Sequence, residues 1–446
     1  MTLDQKEIDS VISNTLLIDF VKITLTQDTT DNPKKYSGPG SISLDEDGLL
    51  RLKIYHVYEI EEEIERDFLD SFNDGGLIPG QIIGNQHYYF LEALDMKGRS
   101  WTSSHVSISG HTSFPARGKV IETNLQKISL THEPIEGEKS QNDFAYLIIP
   151  GKHKVPCNKY EKSEKGTSLT ICELNLDHYC CEIKKRESHI ELSIRGTSEL
   201  AIEKYSNILL EAISICTGSF LRPKIRLVSS KDCKVSEIYS ARQSSAKQEL
   251  QPPIDGMNAR ETSFFEEFTK KYTRKICEPY AELFGYWYRI FSESSGELEN
   301  RALVLTTSIE GVLKQYYADY GTPDSDFITQ VQEAKPTIKS LEVGERVKQR
   351  ILSSLGNALS STPKNSLHSL AASKDIPGEL IKIWSELRNK SAHADELKQS
   401  DSELQEFLDQ LFGCLELFYC LLLRHIEYKG NYIRYSQIGW PAALMS

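Results

Sequence analysis

The chain is predicted to be α+β: a β-rich N-terminal region in two units, followed by an all-α helical bundle. Three observations predict this. In the N-terminal region Leu50, Leu52, Ile54 and His56 alternate with Arg51, Lys53 and Tyr55, the period-two pattern of a strand with one buried face. Beyond residue 264 the spacing changes: Leu298, Ala302, Leu305, Ile309, Val312 and Tyr316 step by threes and fours, the apolar stripe of a helix. Between the two regimes, Gln243-Ser244-Ser245-Ala246-Lys247-Gln248 and Pro252-Pro253 mark a break in composition that reads as a linker or exposed loop.

The elements follow in order. Ile42-Ser43-Leu44 leads into the turn signal Asp45-Glu46-Asp47-Gly48, and 50–56 returns as the second strand of a hairpin. A second hairpin is expected from 88–94 and 101–108, turning at Asp95-Met96-Lys97-Gly98. The glycines of Asn73-Asp74-Gly75-Gly76 lack the Gly-Lys-Ser/Thr ending of a phosphate loop. A second α+β unit has strands at 144–149, 168–174, 178–184, 190–195 and 224–229, and a helix at 199–217 stopped by Gly218. An aromatic-rich helix over 264–293 is split by Pro279. Helices follow at 297–320, 326–340, 343–354, 365–373, 377–392 and 401–429, the last capped by Ser400 or Asp401. The expected domains are therefore 1–138 (β-rich), 139–240 (α+β), a linker at 241–263, and 264–446 (helical).

Composition narrows the function classes. With 39% hydrophobic and 26% charged residues, the chain has the make-up of a globular protein. No apolar run reaches the ~20 residues that span a bilayer, and the N-terminus lacks an export pattern, so a cytoplasmic protein without a membrane partner is expected. The nine cysteines form no Cys-x-x-Cys pair and no zinc-type cluster, which reads as reduced thiols and no metal or cofactor. Cys180 and Cys181, adjacent in a strand, point to opposite faces. A net charge of −12 excludes a whole-surface nucleic-acid binder but leaves room for a local basic patch.

One hexapeptide stands out: Arg388-Asn389-Lys390-Ser391-Ala392-His393. An arginine stays charged and its planar fork fits phosphate oxygens. An imidazole passes protons near neutrality. The spacing alone is unspecific, since Arg51…His56 and Arg99…His105 share it within the expected hairpins. The Arg388 pair differs in being followed by Asn389, in ending a helix, and in lying among helices. A structural reading also stands: His393 meeting the helix dipole, and Arg388 paired with Glu386 or Glu310. Five residues turn an ideal helix to about 140°, so both side chains reach one phosphate only if the helix breaks or a second copy completes the site.

In this context the helical region, about 295–435, resembles the HEPN-domain ribonucleases. Their signature is an arginine, commonly a polar residue next, and a histidine four to six residues further on. An early helix with an embedded acid (Thr307-Ser308-Ile309-Glu310-Gly311-Val312) precedes the motif helix, and a long helix closes the domain. The chain also resembles the ApeA-type bacterial anti-phage defence proteins: Gly40-Ser41-Ile42-Ser43-Leu44-Asp45 and Ile82-Ile83-Gly84…Tyr89-Phe90-Leu91 are similar in kind to their β-rich N-terminal region. The resemblance implies a metal-independent endoribonuclease, with RNA as substrate, a homodimer formed through the helical domain, and a phage-derived trigger. His393 would carry the proton transfers and Arg388 the phosphate charge. Asn389 would orient the imidazole or bind backbone, and Glu310 would hold Arg388 or His393. HEPN domains also occur as non-catalytic dimerisation modules, which leaves a ligand-sensing or scaffold protein as the alternative. A Ser or Cys hydrolase lacks the Gly-x-Ser-x-Gly motif.

Overall fold

The computed structural model describes residues 3–58, 80–108, 112–113, 118–132, 143–163, 166–197, 200–230, 234–240, 248–254, 262–323, 325–359, 361–392 and 400–445. The chain is α+β, β-rich in its N-terminal half and helical in its C-terminal half. It divides into two compact units. The first holds residues 1–153, 158–206 and 221–247, and the second holds 154–157, 207–220 and 248–446.

The first unit is built on one antiparallel sheet. Its strands are β1 (Leu17–Gln27), β2 (Lys35–Leu44), β3 (Leu50–Val57), β4 (Tyr88–Asp95), β5 (Ser100–Ser107), β6 (Thr112–Ser113), β7 (Gly118–Leu125), β8 (Lys127–His132), β9 (Asp143–Pro150), β10 (Lys159–Ser163), β11 (Gly166–Asn175), β12 (Tyr179–Lys185), β13 (His189–Gly196), β14 (Ile225–Ser229) and β15 (Lys234–Tyr239). Their order across the sheet is β10-β11-β12-β13-β9-β14-β15-β8-β5-β4-β1-β2-β3-β7-β6. The strands of 1–138 and of 139–240 are thus joined, through the pairing of β15 with β8.

Both expected hairpins are present. Asp45 accepts from Gly48 N at 2.9 Å, and Gly48 takes φ +80°, a region only glycine enters without strain. Gly98 does the same after Asp95, at φ +75°. On β3 the alternation is realised: Leu50, Leu52 and Ile54 are buried and Arg51 is exposed. β7 returns beside β5, where the Thr123 hydroxyl donates to the Ser107 carbonyl at 2.5 Å. The strands from β5 to β7 therefore curl around a core that includes Phe20, Ile23, Leu25, Ile42, Leu91 and Trp101.

A short helix, α1 (Gln5–Ile12), closes onto this core through Ile8 and Val11 and carries a full capping box between Asp4 and Glu7. Its Glu7 accepts from the Arg99 terminal nitrogens at 2.9 and 2.6 Å. Arg99 Nε donates to Asp95 at 2.7 Å, and the Trp101 indole donates to the same Asp95 oxygen at 3.0 Å. Burial pushes both carboxyls up. For Glu7 the Arg99 and Lys97 side chains outweigh that push, and for Asp95 the Arg99 backbone, the Trp101 indole and the Arg99 side chain do so. Both end below the usual carboxylate range. Arg99 is thus a structural residue, tying α1 to the β4–β5 turn.

Helix α2 (Ile202–Thr217) begins in the first unit and supplies residues 207–217 to the second. The second unit adds α3 (Thr262–Lys275), α4 (Glu282–Ser292), α5 (Leu298–Tyr316), α6 (Ser325–Ser340), α7 (Glu345–Ala358), α8 (Pro363–Ala372), α9 (Glu379–Ala392), α10 (Asp401–His425) and the hairpin β16 (Asn431–Ile433)–β17 (Ala442–Leu444). The break at Pro279 separates α3 from α4. Ser400 caps α10, accepting from Glu403 N. The helix ends at His425, four residues short of the expected 429 in sequence, because the chain turns at Glu427, φ +59°. Part of the expected linker is docked: Leu250 and Ile254 are buried, and Tyr419 and Tyr435 donate to the carbonyls of Gln251 and Pro252, each at 2.6 Å. No described helix is long and apolar enough to cross a membrane.

Within the second unit Glu211 of α2 is buried, accepting from the Tyr272 hydroxyl at 3.1 Å and from the backbone N–H of Tyr280. Burial pushes its carboxyl up to about 7, against those two hydrogen bonds. The folded state thus holds a proton that the unfolded chain releases near pH 4.5, so stability falls as pH rises from about 4.5 to 7. Glu211→Gln is expected to remove this slope and to be the more stable protein at pH 8, by about 2–3 kcal/mol. Denaturant melts of both proteins at pH 5 and pH 8 check it. A mutant with the wild-type pH slope counts against it.

Candidate functional site

The motif helix α9 is helical because its apolar residues fall on one face. Leu380, Ile381, Trp384 and Leu387 are buried, and the Trp384 indole donates to the Thr306 carbonyl of α5 at 3.5 Å. On its other flank α9 meets α10 at Gly413. A Cβ added there would lie 2.9 Å from Ile383 Cγ2, closer than side-chain atoms come. Gly413→Val is expected to destabilise the second unit by about 1–3 kcal/mol through overpacking, read as a lower midpoint in urea. A midpoint equal to wild type would show that the helices separate freely. Gly311 serves α4 and α5 likewise, since its Cβ would meet the Tyr286 ring at 2.4 Å.

This packing sets Arg388 of α9 opposite Glu310 of α5. The Arg388 Nε donates to Glu310 Oε1 in an ion pair. The Arg388 side chain is 46% exposed and that of Glu310 18%. The Nε contact is the hydrogen bond that the Arg388 side chain makes among the described residues, so its two terminal nitrogens have none there. The other Glu310 oxygen lies 3.8 Å from Lys314 Nζ. Glu386, the other acid weighed as a partner for Arg388, instead accepts from Gln410 at 3.2 Å.

Asn389 is exposed beside Arg388. Lys390 reaches α10, donating to Glu406 at 2.9 Å and to Gln410 at 3.1 Å. Its hydrogen bond holds the Glu406 carboxyl below its ordinary value. The helix is described through Ala392, and His393 lies outside the described residues. The structure therefore brings together Arg388 and Glu310, leaves Asn389 exposed next to Arg388 in the chain, and turns Lys390 toward α10. A cation on an exposed surface with open donors can receive a phosphate oxygen.

The other two Arg…His spacings are structural. Arg51 pairs with Asp45 at 2.9 Å, while His56 Nδ1 lies 3.1 Å from Ser37 N and 2.9 Å from Ser37 O. Arg99 is buried in the network described above. The Asn73–Gly76 glycines lie outside the described residues. Cys181 is buried and Cys180 exposed, as their alternation demands. Among the described residues no group of three or more His, Cys, Asp or Glu side chains is placed to hold a metal ion.

The Lys390–Glu406–Gln410–Glu386 chain was not singled out from sequence. Its signal was present in the i,i+4 pairs Glu386/Lys390 and Glu406/Gln410, but which helices face each other is a tertiary fact. No protein-family model, curated protein or solved structure matches the chain.

Proposed function

We propose that the chain is a metal-independent endoribonuclease of bacterial anti-phage defence, of the abortive-infection type, acting in the cytoplasm. Its substrate is RNA, and the β-rich region senses a phage-derived trigger or restrains the nuclease. The observation that carries this reading is Arg388. It is held through Nε by Glu310 at the exposed end of α9, its terminal nitrogens have no hydrogen bond among the described residues, Asn389 is adjacent, and His393 follows in sequence.

The chemistry needs no metal because RNA supplies its own nucleophile. A base takes the 2′-OH proton, the 2′-oxygen bonds to phosphorus, and the bond from phosphorus to the 5′-oxygen breaks. The leaving oxygen takes a proton. The products are a 2′,3′-cyclic phosphate and a 5′-OH. His393 carries the proton transfers, Arg388 neutralises the charge that builds on the phosphorane, and Asn389 orients the imidazole or binds backbone. Glu310 positions Arg388. Because Arg388 to Ala392 are helical, two copies packed motif to motif are the arrangement that best completes such a site, and a homodimer through the helical unit is part of the proposal.

The same ion pair favours a second reading, in which Glu310 neutralises Arg388 and the helical unit only dimerises within a ligand-sensing or scaffold protein. The test is RNA from phage-challenged cells expressing the wild-type chain, and RNA incubated in EDTA with protein purified from them. The nuclease predicts fragments ending in 2′,3′-cyclic phosphate in both. Intact RNA in cells that the protein still protects would sink it and leave the scaffold reading.

A further inference from the structure

Helices α6 and α7 pack on each other and on little else. The short connection 341–344 makes them an antiparallel helical hairpin. α7 buries no residue, and α6 buries only Val331. Helices of this length owe their stability to a packed apolar face, and two helices alone leave part of that face uncovered. Phe327, Leu341, Val347 and Ile351 stay 38%, 45%, 51% and 36% exposed.

These four side chains share one face of the hairpin. A helix turns ~100° per residue. On α6 the covered side centres on Val331, Lys335 and Ile338, with Phe327 and Leu341 to one side of it. On α7 it centres on Lys348, Leu352 and Leu355, with Val347 and Ile351 to one side. Because both helices are right-handed and run in opposite directions, the two sides coincide. The uncovered area is a few hundred Å², about the apolar share of one partner in a standard interface, which buries ~800 Å² per side.

Charge identifies the occupant. Glu333 stands at the outer edge of this face on α6 and Arg350 at its outer edge on α7, at nearly equal depth from the turn. Both are exposed, and neither side chain makes an ion pair or hydrogen bond among the described residues. Within one chain they point away from each other. A second copy, related by a two-fold axis along the hairpin, lays its α7 over α6 and brings the partner's Arg350 beside Glu333. The symmetry makes that pair twice. We propose that the α6–α7 hairpin docks on the same hairpin of a second copy, forming a four-helix bundle. This surface is separate from the Arg388 motif, and the proposal does not rest on the nuclease reading.

The test is disulfide trapping in the full chain. Gln330 and Ser354 are exposed. They diverge within one chain but meet across the proposed interface. A mixture of Gln330→Cys and Ser354→Cys chains, at micromolar concentration under mild oxidation, is expected to form a covalent dimer. Native Cys180 and Cys277 are exposed, so each variant alone sets the background. Glu333→Arg in both chains, or Arg350→Glu in both, is expected to raise the concentration needed for trapping about tenfold. Glu333→Arg in one chain with Arg350→Glu in the other restores it. Val347→Glu with Ile351→Glu in both chains abolishes trapping, while a urea midpoint near wild type shows that the second unit is folded. A mixture that links no more than the single variants overturns the proposal and leaves the face to a different partner. Linking that survives Val347→Glu with Ile351→Glu, or that ignores the charge reversals, overturns it as well.

Discussion

In the His393→Ala variant RNA cleavage is expected to fall by about 10²–10⁴-fold, the usual contribution of a positioned acid or base. Arg388→Ala is expected to lose about 10²–10³-fold, the scale of a removed charge stabiliser. Stability separates this from unfolding. Arg388 is 46% exposed and its pair with Glu310 stands at the surface, where such pairs contribute ~1 kcal/mol or less. Arg388→Ala should therefore keep its urea midpoint close to wild type while losing cleavage. Glu310→Gln leaves Arg388 in place without its carboxylate, and is expected to reduce cleavage less than Arg388→Ala does. End-group analysis of a synthetic RNA, with Lys339→Ala as an exposed control, reads all of these. Full cleavage by a folded His393→Ala protein would remove the site assignment, and a phenotype that persists in both folded variants would favour the scaffold reading.

The first unit has a different sensitive point. Arg99→Ala is expected to destabilise it by about 3–5 kcal/mol, because the change removes the cation and leaves Asp95 and Glu7 in place. Arg99 and Asp95 are 6% and 2% exposed in their side chains, so little water is at hand to compensate. The two carboxyls would face one another without the guanidinium that binds both. The pH dependence has a definite sign. Both carboxyls have folded values below their ordinary ones, so their contribution is present above about pH 4.5 and is lost as pH falls through the folded values. The gap between wild type and Arg99→Ala should therefore be wide at pH 7 and narrow in acid. Denaturant melts at pH 7 and pH 3 measure it, and a gap at pH 7 below about 1 kcal/mol would mean that Lys97 or solvent replaces Arg99.

Much of the architecture was legible where a pattern is local. The hairpins at 42–56 and 88–108 were marked by Asp-x-x-Gly turns and alternation, and α4 to α10 by apolar stripes and by Pro279. What was not legible has physical causes. In β1 a register shift between Phe20 and Ile23 interrupts the alternation, so Ile18 and Phe20 fall out of phase with Ile23 and Leu25. Helix α1 is too short for a clear period, and its position is fixed by Arg99, ninety residues away in sequence. The joining of β8 to β15 leaves no local trace. At the candidate site the residue types were visible, and Glu310 was one of two acids weighed for Arg388. Which of them pairs depends on how α9 packs on α5, and spacing within one helix does not encode that.

The strand order of the first unit also dictates when it can be finished. β9 lies between β13 and β14, and β8 reaches the rest of the sheet's second half only through β15. As the chain leaves the ribosome, β8 must therefore wait for residues 234–239, about a hundred positions later, before it has both neighbours. Pairings of such long sequence separation form slowly and leave strand edges open meanwhile. A chain cut short before residue 239 should yield an aggregation-prone fragment with an open sheet, whereas all the strands of this sheet are made before the first residue of α3 is added.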